Sequence, residues 1–307
     1  MPDRESVTVL LPTYDEAATI GDCVDDFRAE GFDDVLVMDG DSDDDTRELA
    51  REAGARVEIQ SGAGKGQAVR EAVREHIDRE YVLMADGDGT YLAEEADRML
   101  APLDDGYEHV IGDRFADMEE GAMTRLNQVG NKLTNRLFSL IHGEAFEDIL
   151  SGYRAFSRSS FGRLRLSADG FGIETEMAVE CAKHDIPTTV VPITYLERPA
   201  GSNTNLHPIR DGSIIFLELF RRAKTNNPLF YFGSVGVVSG LAGTLIAAYV
   251  AVEWFIYEIP HQIWALAGAA GILLGVQLLM FGVLSDLILT LHREQLDRIE
   301  AIDEDGA

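Results

Sequence analysis

Lysine is scarce in this chain. Four occur among 307 residues, at Lys65, Lys132, Lys183 and Lys224, while Asp and Glu together number 54 and the net charge is −28. No basic stripe exists to neutralise phosphates, which excludes nucleic acid as a partner. An acidic chain with so little lysine predicts solvation in very high salt, as in a halophilic archaeon. At molar strength the Debye length falls to about 3 Å and self-repulsion is screened, so dialysis into low salt is expected to unfold the protein. Cysteine is limited to Cys23 and Cys181, which lack metal or redox spacing and read as ordinary thiols of a reducing cytosol. No G-x-G-x-x-G follows the first strand pattern, and Gly66 stands where a Walker loop needs Ser or Thr after Gly-Lys. The N-terminus, with Asp3, Arg4 and Glu5, has no signal-peptide pattern. There is no internal repeat.

Charge is missing altogether from two long stretches, 225–252 and 259–285. Each exceeds the ~20 apolar residues that span a bilayer. Both are rich in Gly, Ala, Leu and Val, which lets membrane helices pack closely. Arg221, Arg222 and Lys224 precede the first span; His292, Arg293 and Arg298 follow the second; the connection at 253–262 carries two Glu and no Lys or Arg. The positive-inside rule then puts both termini in the cytoplasm, with Trp254, Tyr257 and Trp264 at the far interface.

What the chain does have, over its first 115 residues, is alternating strand and helix patterns. Strands are expected at 7–14, 35–40, 56–61, 81–86 and 109–115, with helices from about Glu16, at 44–53 and at 64–76. A further helix is expected at 122–143, a strand at 151–158, a helix at 176–184 and a strand at 188–197. Residues 198–206 have turn composition, and 207–224 read as an amphipathic helix on the membrane surface. Such alternation implies a doubly wound, parallel α/β sheet, with ligands at the carboxyl ends of the strands. Asp15, Asp39, Asp41, Asp86 and Asp88 all fall there. The D-G-D of LMADGDGTY (83–91) suits a hard divalent cation whose shell is completed by diphosphate oxygens. On its own, the pair could equally cap a turn.

Its company decides the matter. LPTYDEAATI (11–20), VMDGDSDDDT (37–46), GKGQAVREA (64–72), ADGDGTY (85–91), IGDR (111–114), DILSGYRAF (148–156) and GFGIETEM (170–177) occur in that order. Together they resemble a family 2 glycosyltransferase of the GT-A fold. More narrowly they resemble the dolichyl-phosphate mannose and glucose synthases, including the haloarchaeal members that charge dolichyl phosphate with the first hexose of the S-layer N-glycan. The Q-x-x-R-W motif of processive polysaccharide synthases is absent, which favours transfer of a single sugar. Where those synthases carry Ser-Lys, this chain has Ser202-Asn203, and Asp113 stands where Ser is usual.

The resemblance implies a mostly parallel, Rossmann-like GT-A catalytic domain (1–206), the juxtamembrane helix (207–224), two transmembrane helices (225–291, at about 229–252 and 263–285) and an acidic cytoplasmic tail (292–307). It implies a multi-pass cell-membrane enzyme that inverts configuration, takes UDP-glucose or, as the rival donor, GDP-mannose, and needs Mg2+ or Mn2+. Pro12, Tyr14 and Asp15 line the nucleoside pocket, with Asp39 on the base edge (or merely at a helix N-terminus), Lys65 near the nucleotide, and Asp86, Gly87 and Asp88 at ribose and metal. Arg114, Ser151, Arg154, Arg198 and Ser202 face phosphates, and Glu174 and Glu176 edge the sugar or acceptor. Asp88, Asp148 and Arg154 form the expected catalytic set, with Asp148 either base or positioner. Self-association through the hairpin stays open. The rival classes are a nucleotide-binding scaffold without turnover and a membrane-tethered nucleotidyltransferase.

Overall fold

The computed structural model describes residues 1–144, 146–170, 172–199, 220, 224 and 227–305, with side chains described as far as 291. The chain forms two compact units, Met1–Phe216 and Leu217–Ala307.

The first unit is built on seven strands in the order β3-β2-β1-β4-β6-β5-β7. These are β1 (Val7–Thr13), β2 (Val35–Asp39), β3 (Arg56–Ile59), β4 (Tyr81–Met84), β5 (His109–Met118), β6 (Arg154–Ser157) and β7 (Thr188–Tyr195). The helices are α1 (Ile20–Ala29), α2 (Thr46–Glu52), α3 (Lys65–Glu71), α4 (Ala96–Asp104), α5 (Arg125–His142), α6 (Arg158–Arg163) and α7 (Ile173–Lys183). The central strands are buried on both faces, as their continuous apolar runs require. Val7, Val9 and Leu11 of β1 pack with Val24, Phe27, Met99 and Leu100 of α1 and α4. Leu10 points the other way, into a second core with Val69, Phe161, Ile173 and Met177. The period of two along the strand thus serves helices on both sides.

The sheet is not wholly parallel. β1 pairs in parallel with β2 and β4, but β6 runs antiparallel between β4 and β5. This reversal matters for the site. A strand running backwards brings its start to the edge where its parallel neighbours end, so Arg154 lies opposite both Met84 and Ile111. The segment Asp148–Tyr153 therefore arrives beside Asp86.

Several expected boundaries move. α1 begins at Ile20, not near Glu16, because the intervening turn is held elsewhere: Asp15 has φ 55° and the Glu16 amide donates to Thr46 Oγ1 at 2.9 Å. The strand expected at 151–158 is confined to Arg154–Ser157. α4 and α6 were not foreseen. The amphipathic helix expected at 207–224 lies outside the described residues except for Phe220 and Lys224.

The second unit is a helical hairpin of α8 (Pro228–Tyr257) and α9 (Gln262–Asp305). Asn227 caps α8, its side chain accepting from the Phe230 amide at 3.0 Å, with Pro228 in the first turn. The helices approach closely: a Cβ on Gly243 would sit 2.6 Å from the Ile272 amide nitrogen. Ser239 Oγ donates to the Gly271 carbonyl at 3.0 Å across this contact. Both helices are long and apolar enough to cross a membrane. Their outward faces are bare, with Phe255 82% and Ile263 84% exposed, unlike the core helices of a soluble domain. They are the anchor of a membrane protein. α9 runs on to Asp305 through part of the stretch expected as an acidic tail, and no Gly or Pro interrupts 283–305.

Candidate functional site

The site gathers at the carboxyl edge of β1, β2 and β4. Thr13 lies in register with Asp39, and the Ala85 amide donates to the Leu10 carbonyl at 3.1 Å, so the D-G-D begins just past the sheet. Gly87 is pressed against β1; a Cβ there would meet Thr13 Cγ2 at 2.5 Å. Its carbonyl accepts from Thr19 Oγ1 at 2.7 Å, which fixes the loop from the other side.

Both motif acids are engaged. Asp88 is buried; its Oδ1 accepts from Thr90 Oγ1 at 2.6 Å and from the Thr90 amide at 3.2 Å, and its Oδ2 pairs with Arg198. Arg198 also reaches Glu16 Oε1 at 3.1 Å. Asp86 pairs with Lys65, which also reaches Glu174 Oε1 at 2.5 Å. Each motif acid thus shares its cation with a glutamate outside the motif. Burial, with Asp86 beside it, pushes the Asp88 carboxyl above its usual range, against the pull of Arg198. Burial works against the charge on Lys65, but Asp86 and Glu174 outweigh it and hold the ammonium above its usual range. Both carboxylates already hold a cationic partner, and hard oxygen donors of this kind fit a divalent cation.

Gly152 explains the S-G-Y-R stretch. A Cβ there would fall 2.6 Å from Asp86 Oδ2, so only glycine leaves room for that carboxylate. Its amide donates to Tyr91 Oη at 3.0 Å. Tyr91 packs on Tyr153 and Tyr195, with ring centroids 5.2 and 5.5 Å away. Tyr91, Thr90, Glu16 and Gly152 were not singled out from the sequence, although all four lie inside stretches quoted for other reasons.

Asp148 is fully buried and clamped. Arg114 Nε donates to its Oδ2 at 2.6 Å and Nη2 to its Oδ1 at 2.8 Å, while the Arg114 amide adds a third bond at 3.2 Å. Burial opposes the Arg114 charge, but Asp148, with Tyr91 and Tyr195, overrides it and raises the guanidinium well above its usual range. Both oxygens of this carboxylate are thus committed to the guanidinium and amide of one residue.

Arg154 is not placed to face a phosphate. It is wholly buried, donating to the carbonyls of Ser151, Ile149 and Glu174 at 3.0, 2.7 and 3.0 Å and contacting His109 Nε2 at 3.1 Å. It ties the Asp148–Tyr153 segment to α7. Glu176 is likewise occupied, accepting from the Ser167 amide and hydroxyl at 2.8 Å each and from the Ala168 amide at 2.7 Å. That segment passes over the G-K-G turn. The Gly66 amide donates to the Asp169 carbonyl at 2.8 Å, and a Cβ on Gly66 would strike the Ala168 carbonyl. These glycines admit a crossing backbone, and Lys65 projects between them toward Asp86.

On the nucleoside side, Pro12 is buried, Tyr14 is exposed and Asp15 half-buried. Asp15 Oδ1 accepts from the Asp43 amide at 2.9 Å, and its own amide donates to Ser42 Oγ at 2.9 Å. Asp39 spends both oxygens on Ser42, accepting from its amide at 2.9 Å and its hydroxyl at 2.6 Å. Ser151 is buried, and among the described residues its hydroxyl has no hydrogen-bond partner. Ser202 lies outside the described residues.

Paired acids at the carboxyl edge of such a sheet suit a ligand held through a hard cation. The description "Glycosyl transferase family 2" matches residues 8–165, and the chain belongs to that family of glycosyltransferases. Glycosyltransferase AglJ of Haloferax volcanii is 66% identical over 303 residues, 99% of this chain and 100% of that protein. The Dolichyl-phosphate hexose transferase of the same organism is 35% identical over 213 residues, 69% of this chain and 91% of that one. Among solved structures, glucosyl-3-phosphoglycerate synthase of Mycobacterium tuberculosis, in complex with Mn2+, uridine diphosphate and glucosyl-3-phosphoglycerate, superposes with a TM-score of 0.59. The match covers 71% of this chain and 80% of that one at 21% identity, and it shows the shared fold.

Proposed function

We propose that the protein transfers one hexose, with inversion, from a nucleotide sugar to dolichyl phosphate at the cytoplasmic face of the membrane. UDP-glucose is the donor in this reading and GDP-mannose its rival. The observation that carries it is the pair Asp86–Asp88 at the carboxyl edge of the sheet in a chain that ends in a membrane hairpin. The full-length likeness to AglJ and the likeness to a dolichyl-phosphate hexose transferase support the acceptor. The excess of Lys and Arg flanking both spans supports the cytoplasmic face. In this reading the catalytic domain is followed by a membrane anchor made of α8 and α9.

The acceptor phosphate, with a second pKa near ~6, is already a dianion at neutral pH. It needs no base, which suits an Asp148 whose oxygens are both given to Arg114. Asp148 instead positions Arg114, whose fork is shaped for phosphate oxygens. Lys65 and Arg198 supply further positive charge where two anions must meet. Pro12, Tyr14 and Asp15 receive the nucleoside, with the Asp39–Ser42 turn shaping its floor. Asp86 and Asp88 would hold Mg2+ or Mn2+, which would supply charge neutralisation for a diphosphate.

The test uses purified protein in molar salt with dolichyl phosphate, Mg2+ and labelled UDP-glucose or GDP-mannose. Label from UDP-glucose entering the lipid phase, and lost with EDTA, is the expected result. Label from GDP-mannose alone reassigns the donor; lipid label from neither donor refutes the reading.

A further inference from the structure

No acid occurs between 121 and 143, where the chain's overall composition would place about four, and Arg125, Lys132 and Arg136 all fall there. This stretch is α5 with its two ends, and the helix has two apolar faces. Phe138 and Ile141 turn inward with Asn135 and are buried. Leu126, Val129 and Leu133, spaced three and four apart, form a stripe on the opposite side of the helix. They are 62%, 65% and 58% exposed. Arg125, Lys132 and Arg136 are exposed along one edge of that stripe. Among the described residues none of the three pairs with a carboxylate, and Lys132 Nζ lies 5.7 Å from the centroid of the Phe115 ring.

A solvated helix face in so acidic a chain is expected to carry Asp and Glu. This one carries Leu and Val edged by cations. That is the pattern of a helix lying in a membrane interface, with apolar side chains at the acyl boundary and cations among anionic headgroups. The chain has α8 and α9 to hold it at a bilayer, so a lipid surface is a partner it always has. We infer that the Leu126–Val129–Leu133 face of α5 rests on an anionic lipid surface, with Arg125, Lys132 and Arg136 at its headgroups. The inner side of the same helix is bonded to the site. Asn131 Oδ1 accepts from Arg114 Nη2 at 3.2 Å. Asn135 Oδ1 accepts from the Ile149 amide at 3.2 Å, and its Nδ2 donates to the Glu147 carbonyl. Lipid contact on the outer side of α5 thus sets the Arg114–Asp148 clamp one helix diameter, about 10 Å, from the headgroups.

The experiment places a nitroxide through Leu126→Cys or Leu133→Cys in the full-length protein, reconstituted in phosphatidylglycerol nanodiscs. Cys23 and Cys181 are buried and stay unlabelled. A label through Glu48→Cys on α2, whose side chain is 60% exposed, is the reference for water. Power saturation with oxygen and with a nickel chelate reads the depth of each label. The α5 labels are expected to favour oxygen and to sit about 5–10 Å into the interface, while the reference favours nickel. Combining Arg125→Gln, Lys132→Gln and Arg136→Gln is expected to shift the α5 labels toward water. Labels as open to nickel as the reference overturn the inference. So do labels shielded from both reagents, because another segment or a second copy of the chain then covers the face. An unchanged depth in the triple variant overturns the assignment to anionic headgroups. No sugar transfer enters the measurement, so a failure of the proposed reaction is told apart from a failure of this inference.

Discussion

Gly152→Ala is a one-methyl test of the site. The added Cβ would lie 2.6 Å from Asp86 Oδ2 and 3.0 Å from its Cγ, where ordinary contact needs about 3.4 Å or more. The backbone cannot retreat easily, because the Gly152 amide is bonded to Tyr91 Oη and Arg154, two residues on, is bonded back to the Ser151 carbonyl. Asp86 must therefore move by roughly 1 Å, and a displacement of that size near the reacting groups can cost about 10²-fold in rate. Overpacking alone costs about 1–3 kcal/mol of stability, so the variant is expected to fold. The assay is transfer of labelled sugar, with thermal unfolding measured in the same buffer. A loss of about 100-fold with a modest fall in Tm is the expected result. Full activity would refute the placement of Asp86 against Gly152 and, with it, the account of the S-G-Y-R stretch.

Other expectations follow from buried groups. Asp148→Asn leaves the Arg114 charge buried without its partner and should cost about 3–5 kcal/mol of stability, seen by chemical denaturation; a stable but inactive variant would point back to a base. Burial pushes the Cys23 thiol up to about 12 and the Cys181 thiol up to about 11. Neither should react with iodoacetamide at pH 8 in the native protein, and both should react once it is unfolded, as mass spectrometry will show. Burial and the neighbouring Arg154 hold His109 well below its ordinary value near 6.5, so it stays neutral in the folded protein. Below pH ~6.5 the unfolded chain takes up a proton that the folded one refuses. Stability should then fall by about 1.4 kcal/mol per pH unit from this group, and His109→Gln should lessen that acid-side slope.

Much of the fold was legible because the signals are local. An apolar run that stops at acids marks a strand's carboxyl end, and it located Asp39 and Asp86 at one edge. The charge-free stretches marked the hairpin in the same way. What was not legible depends on contacts between distant residues. The reversal of β6 is invisible in its own sequence, yet it brings Gly152 to Asp86. Arg154 and Glu176 sit in motifs that suggested ligand contact, but they bond to backbone carbonyls and amides, to His109 and to the Ser167 hydroxyl in neighbouring segments. The glycines around Lys65 did not fit a Walker loop, and the crossing of residues 168 and 169 that they admit has no signal in their own spacing. Lys65 and Arg198 lie 21 and 110 residues from the acids they neutralise, and no periodicity reports pairs of that kind.

The central claim is that sugar leaves a nucleoside diphosphate and joins a lipid phosphate in one coupled event that depends on Asp88. The direct measurement counts both products in a single-turnover reaction with labelled UDP-glucose and dolichyl phosphate. Equal amounts of uridine diphosphate and hexosyl lipid, both lost in Asp88→Asn, are the predicted result. Uridine diphosphate without hexosyl lipid, release of pyrophosphate, or full turnover in Asp88→Asn would contradict the account.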